Sequence, residues 1–370
     1  MTYLASARRL VVKIGSALLV GKDGEINRSW LESLCDDLAQ CRMRGQEVIV
    51  VTSGAVAIGR RHLGLPGGPL ALDEKQAAAA TGQIRLAHAY QETLARHGFS
   101  VAQVLLTIDD SENRRRYLNA RNTLETLLRL GAVPVINEND TVATAEIRFG
   151  DNDRLAARVA QMIGADTLVL FSDIDGLYTG DPRRDPDARF IPEVQELTPE
   201  IEAMAGDPGS AVGTGGMVTK IMAARIALAA GCRMAIAPGK PVNPLRAMQG
   251  GGRCTWFHPN QEPQTARKQW IAGSVKPQGS LTVDAGAARA LLKGGSLLPA
   301  GVVQVDGDFQ KGETVVVLNG EGRPVARGLS AYSSDDAKRI IGHKSADIED
   351  LLGYRGKDEI IHRDDLVLEA

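Results

Sequence analysis

Short runs of Val, Ile and Leu recur from the N-terminus to about Phe257, and a stretch with helical apolar spacing follows nearly every one. The runs "RLVVKIGS", "EVIVVTSGA", "VAQVLLT", "VPVIN", "TLVLFSDI" and "RMAIAPG" alternate with "WLESLCDDLAQCRMRG", an alanine-rich stretch over about Asp73 to His97, "RRRYLNARNTLETLLRLG", "RLAARVAQMIG" and "KIMAARIALAAG". A strand buried on both faces loses its polar alternation, and strands alternating with helices build a parallel sheet covered on both sides. The expected fold class is therefore α/β, an open, mostly parallel sheet sandwiched by helices. Beyond Pro259 the pattern breaks into short β-like runs between turn residues, "LTVD", "GVVQVDGDF" and "ETVVVLNG", which predicts a small β-rich C-terminal domain.

In such sheets ligands bind beyond the carboxyl ends of the strands. The loops there read "KIGSA", "TSGAVA", "NENDTVATAEIRFGDND", "SDIDGLYTGDPR" and "PGKPVNP", rich in Gly, Ser, Asn and Asp. A formal charge of −2 over 370 residues argues against bulk attraction to nucleic acid or anionic lipid. From 278 to 356 nine Lys and Arg face ten Asp and Glu, which is no electrostatic footprint for RNA, so RNA binding is not expected as the main activity. Cys35, Cys41, Cys232 and Cys254 lack metal-ligand spacing and read as reduced thiols. No stretch approaches the roughly 18 apolar residues of a membrane span, so a cytoplasmic location is expected.

"GTGGMVTK", Gly213 to Lys220, suits a phosphate, yet its lysine follows Thr219 rather than a glycine, so it is not a P-loop. No dinucleotide fingerprint follows a strand either. Lys13 closes a strand directly before Gly15-Ser16, where a helix start and an ammonium both favour an anion. Lys220 falls in the first turn of its own helix, a place unfavourable to a cation unless an anion lies nearby. "NEND" (137–140) and "GDND" (150–153) exceed what helix capping requires, although one of Asp151, Asn152 and Asp153 should cap a helix beginning near Arg154. The histidines are scattered and no nucleophile–base pair stands out. Phosphoryl transfer needs positioning and charge neutralisation. A carboxylate acceptor, with a pKa near about 4.3, needs no general base at neutral pH.

Taken together, "VVKIGSALL", "VTSGAVAIG", "KQAAAATGQ", "NENDTVATAEIRFGDND", "SDIDGLYTGDPR", "GTGGMVTK" and "RKQWIAG" resemble, in order and over nearly the whole chain, the glutamate 5-kinase branch of the amino acid kinase family. "VDAGAARALL…GGSLLPAGV" resembles a PUA domain. The resemblance implies a kinase domain over 1–262 and a PUA domain over 278–356, with ATP phosphorylating the γ-carboxylate of L-glutamate at the start of proline biosynthesis. It implies that Lys13 and Lys220 neutralise the transferring group and that Asp153 orients them. Ser53, Asp140, Asn152 and Asn137 would bind glutamate. Lys13, Ser172, Asp173, Thr214, Gly215, Gly216, Met217, Val218, Thr219 and Lys220 would hold the nucleotide, and Gly15 and Gly54 would let backbone amides approach anions. Magnesium is implied by the ATP chemistry, with no ligand assignable from spacing. A homo-oligomer, dimer or tetramer, and inhibition by proline at or overlapping the glutamate site are further implications.

Overall fold

The computed structural model describes residues 3–21, 23–142, 152–205, 216–263, 265, 266, 268 and 277–369. The chain divides into two compact units, one of residues 1–111 and 120–263, the other of 112–119 and 264–370.

Up to residue 263 the elements are β1 (Arg9–Ile14), α1 (Ser16–Leu19), α2 (Arg28–Met43), β2 (Glu47–Val51), α3 (Ala55–His62), α4 (Leu72–Ala95), β3 (Val101–Leu106), α5 (Ile108–Glu112), α6 (Arg114–Arg129), β4 (Val133–Glu138), α7 (Asn152–Ile163), β5 (Thr167–Ser172), β6 (Leu177–Tyr178), β7 (Phe190–Ile191), β8 (Glu193–Val194), α8 (Pro199–Ala203), α9 (Met217–Ala229), β9 (Arg233–Pro238), α10 (Pro244–Gln249) and β10 (Thr255–Phe257). Eight strands form one sheet in the order β3-β4-β2-β1-β5-β9-β10-β8. Neighbours from β3 to β9 run parallel, and β10 turns antiparallel against β9. The predicted open, mostly parallel sheet is found, and its strand order reverses about β1, the position where such sheets present a ligand crevice.

Alternation along β1 decides which way Lys13 faces. Leu10, Val12 and Ile14 enter a core built with residues of α2, α4 and α10, so Val11 and Lys13 face the opposite side of the sheet. There α7 packs against β1 and β5 and against α9. On the first side, α3 and α4 cross in direct backbone contact. A Cβ on Gly59 would stand 1.7 Å from the Ala78 carbonyl oxygen, and one on Gly82 1.8 Å from that of Ala55, so only glycine permits the crossing.

The second unit holds a separate five-stranded sheet, ordered β12-β11-β13-β14-β15, of β11 (Gly279–Val283), β12 (Val302–Gly307), β13 (Thr314–Leu318), β14 (Pro324–Leu329) and β15 (Leu366–Leu368). All its pairings are antiparallel except β11 with β13. Leu281, Val283, Phe309, Val315, Val317 and Ile361 lie in its own buried core. Among the described residues, no helix is long and apolar enough to cross a membrane.

Candidate active site

Two groups of side chains meet where β1, β2 and β4 end and α7 and α9 begin. The first is charged. Asp153, fully buried in the first turn of α7, receives Lys13 Nζ on Oδ1 at 2.6 Å and Lys220 Nζ on Oδ2 at 3.0 Å. Thr219 Oγ1 lies 3.1 Å from Asp153 Oδ2 and 2.7 Å from the Gly216 carbonyl, so its one proton is shared between two acceptors. Burial works to raise the pKa of Asp153, but the charges and hydrogen bonds of Lys13 and Lys220 outweigh it and hold the carboxyl below its ordinary value. Two ammonium groups and one carboxylate carry a net positive charge in a place shielded from water. An anion entering there gains more than it would at the surface.

Three helices that start beside strand ends add to this field. Gly15, Gly54 and Gly216 are the N-cap residues of α1, α3 and α9, and none supplies a side chain to cap the first-turn N–H groups. Uncapped amides at the N-terminus of α9, directly ahead of Lys220, favour negative charge. Gly54 adopts φ +100°, a left-handed conformation that suits glycine. Gly15 is extended at φ −73°, and a Cβ there would stand 3.9 Å from Lys13 Nζ. A side chain at Gly15 would fit the protein itself and would occupy the space beside the ammonium.

The second group is neutral. Asn152, the first residue of α7, directs Nδ2 at the Thr52 carbonyl (2.6 Å), Ser53 Oγ (2.8 Å) and Asn137 Oδ1 (3.0 Å). Asn137 Nδ2 donates in turn to Gln83 Oε1 at 2.7 Å. The Thr52 hydroxyl lies 3.3 Å from that of the buried Tyr90, which backs the same strand end. Gln83 belongs to no loop and was not among the sequence candidates. Its signal was a lone amide on the buried stripe of α4, between Ala79 and Leu86.

Of the other candidates, Ser172 ends β5 and donates to Asp173 Oδ1 at 3.1 Å. Gly216, Met217, Val218 and Thr219 are half-buried at the start of α9. Asp140 opens the single turn that follows β4, where burial pushes its carboxyl up to about 6. Thr214 and Gly215 lie outside the described residues, as does Asp151. The helix after "GDND" begins at Asn152 rather than near Arg154, so its N-cap position falls on Asp151, outside the described residues. Asn152 and Asp153 turn their side chains to the two separate groups. Buried Cys35 and Cys232 have thiols pushed up by desolvation, in keeping with unreactive core residues. A cavity of about 340 Å³ lies away from these groups, lined in part by Asp37, Arg44 and Arg246. Asp37 there accepts the Leu245 and Arg246 amides and so holds the start of α10.

Residues 8–238 match the model of the amino acid kinase family, and 279–352 match the PUA domain. The chain belongs to the amino acid kinase family. Among the relatives of this family member is a protein named Glutamate 5-kinase from Paramagnetospirillum magneticum, 71% identical over 371 residues and covering 100% of both chains. Another of that name, from Rhodospirillum rubrum, is 64% identical over 97% of this chain and 96% of its own. Among solved structures, carbamate kinase from Giardia lamblia bound to AMP-PNP superposes with a TM-score of 0.50 at 14% identity, over 69% of this chain and 100% of its own, which bears on the fold alone.

Proposed function

We propose that this amino acid kinase transfers the γ-phosphoryl group of MgATP to the γ-carboxylate of L-glutamate, giving L-glutamyl 5-phosphate for proline biosynthesis. The observation that carries the reading is the buried Lys13–Asp153–Lys220 cluster beside the Asn152–Ser53–Asn137 group, in a chain 71% identical to a protein named Glutamate 5-kinase. In this reading Lys13 and Lys220 neutralise charge that grows on the transferring phosphoryl oxygens, and Asp153 fixes the two ammonium groups before substrate arrives. The glutamate carboxylate attacks phosphorus as the bond to ADP breaks, and no proton is moved, since the acceptor is already ionised. Both carboxylate oxygens of Asp153 face lysines, so magnesium would enter with the nucleotide phosphates as part of the substrate and lessen their charge.

Ser53, Asn152, Asn137 and Asp140 would hold glutamate. The first turn of α9, from Gly216 to Lys220, with Ser172, Asp173, Thr214 and Gly215, would hold ATP. The same reading carries a kinase domain over 1–262, a PUA domain over 278–356, a cytoplasmic homo-oligomer, and proline competing with glutamate. Inhibition by proline that glutamate cannot relieve would count against the last point.

The test is to incubate the purified chain with MgATP, L-glutamate and hydroxylamine and measure γ-glutamyl hydroxamate. Wild type should form it, and Lys220→Ala should form it at a rate lower by on the order of 10³. ADP appearing only with another acceptor would keep the phosphoryl site and overturn the acceptor.

A further inference from the structure

We infer that Gln83 is a positioning residue for the acceptor pocket, acting through Asn137 on Asn152. The inference rests on the acceptor reading above for its kinetic consequence, but its structural basis stands apart from it.

The direction of the amide relay is fixed from its far end. A backbone carbonyl can only accept, and Thr52 O lies 2.6 Å from the Asn152 amide, so Asn152 must present nitrogen there. The same nitrogen reaches Asn137 at 3.0 Å, and the Glu138 backbone N–H, which can only donate, reaches the same Asn137 oxygen at 2.9 Å. Asn137 is thereby set with its oxygen toward Asn152, and its nitrogen must find an acceptor on the other side. Gln83 Oε1 is that acceptor at 2.7 Å. Every member is buried, so no member can exchange its partner for bulk solvent without moving.

Gln83 holds this place against a cost. Its Nε2 is buried with no hydrogen-bond partner among the described residues, and a buried donor left unmade opposes folding. An apolar side chain on α4 would avoid that cost while leaving the Asn137 nitrogen without its acceptor. The task of Gln83 therefore lies in its carbonyl, and α4 is held by the Gly59–Gly82 crossing one residue away from the amide it delivers. Because Asn152 and Asp153 are adjacent on α7, the relay also bears on where the helix start is anchored relative to the two lysines.

The experiment uses full-length wild type, Gln83→Met, Asn137→Ala and the double variant, with steady-state kinetics for both substrates and thermal unfolding. Gln83→Met should raise the KM for L-glutamate on the order of tenfold, with the KM for ATP within about twofold. In the Asn137→Ala background the same change should add almost nothing, since residues acting through one contact are not additive. Equal factors in both backgrounds, or a parallel rise in both KM values with a lowered Tm, would overturn the inference in favour of a packing role. A crystal structure of Gln83→Met decides the positioning itself, whatever the acceptor proves to be. Asn137 or Asn152 turned to a new rotamer is expected, and both unmoved would sink it. Failure of wild type to phosphorylate glutamate would count against the acceptor reading alone.

Discussion

Asn152 and Asp153 are neighbours on one helix turn, yet they serve surroundings of opposite character. Asp153 sits among full charges, held by two ammonium groups, while Asn152 sits in a chain of neutral amides that ends on α4. Charge is needed where phosphoryl oxygens become more negative, because a preorganised cation stabilises growing charge with little reorganisation. On the proposed reading, another buried cation at the acceptor end would hold the glutamate carboxylate back from phosphorus, whereas neutral groups would position it and leave it nucleophilic. The helical backbone turns consecutive side chains about 100° apart, which lets one turn of α7 serve both groups.

Removing the carboxylate should break the charged half most severely. Asp153→Ala leaves two buried ammonium groups facing each other, and the loss of one partner from a buried ion pair costs about 3–5 kcal/mol. We expect a large fall in Tm or in the urea midpoint, and a kcat lower by on the order of 10² to 10³ in whatever folds. Because the pKa of Asp153 is lowered in the fold, its stabilising contribution is present above the unfolded value and is lost as pH falls through the folded one. The stability gap between wild type and variant should thus persist at neutral pH and close only in acid. Asn152→Ala should instead act first on the KM for glutamate. If both variants changed the same kinetic constant by the same factor, the division into two halves would fail.

A smaller effect separates the two glycines that precede helices. Gly54→Ala puts a Cβ on a residue at φ +100° and 2.8 Å from Val20 Cγ2, so a stability loss of about 1–3 kcal/mol is expected. Gly15→Ala meets only ordinary contacts, at 3.7 Å to the Phe171 carbonyl and 3.9 Å to Lys13 Nζ. Its stability should stay within about 1 kcal/mol of wild type. Its methyl group would nonetheless stand beside the Lys13 ammonium, and kcat should fall on the order of tenfold or more as the phosphoryl group is displaced. Thermal melts and kinetics on the two variants would show opposite profiles; matching profiles would mean that Gly15 is only a backbone device.

The strands and the loops at their ends were legible because buried parallel strands leave continuous apolar runs, as "RLVVKI" and "TLVLFS" do. Lys13 and Lys220 stood out in the sequence as candidates, one at a strand end before Gly15-Ser16 and the other at a helix start. What pairs them was named only by the family resemblance, since Asp153 is 140 residues after one lysine and 67 before the other, and by position alone it reads equally well as a cap. Gln83 was hidden for a different reason: an alanine-rich helix has little amphipathic contrast, so one buried amide does not stand out from the polar face. β15 is only three residues long, too short for alternation to mark it.

Asp140 offers the finest test of the proposed acceptor side, because it is the one ionisable group among the proposed glutamate contacts. Burial raises its pKa to about 6, so it is charged at pH 7.5 and becomes largely neutral by pH 5. If its carboxylate holds the glutamate ammonium group, the KM for glutamate should climb several-fold as pH falls through 6, with the KM for ATP nearly level. Stability should move the other way. A carboxylate whose pKa is raised by folding destabilises the fold where it is charged, so Asp140→Asn should melt above wild type at pH 7.5 and the gap should narrow toward pH 5. The variant should show a high KM for glutamate at every pH and no step near 6. A step that survived in Asp140→Asn would assign the titration to another group and return the acceptor pocket to amides alone.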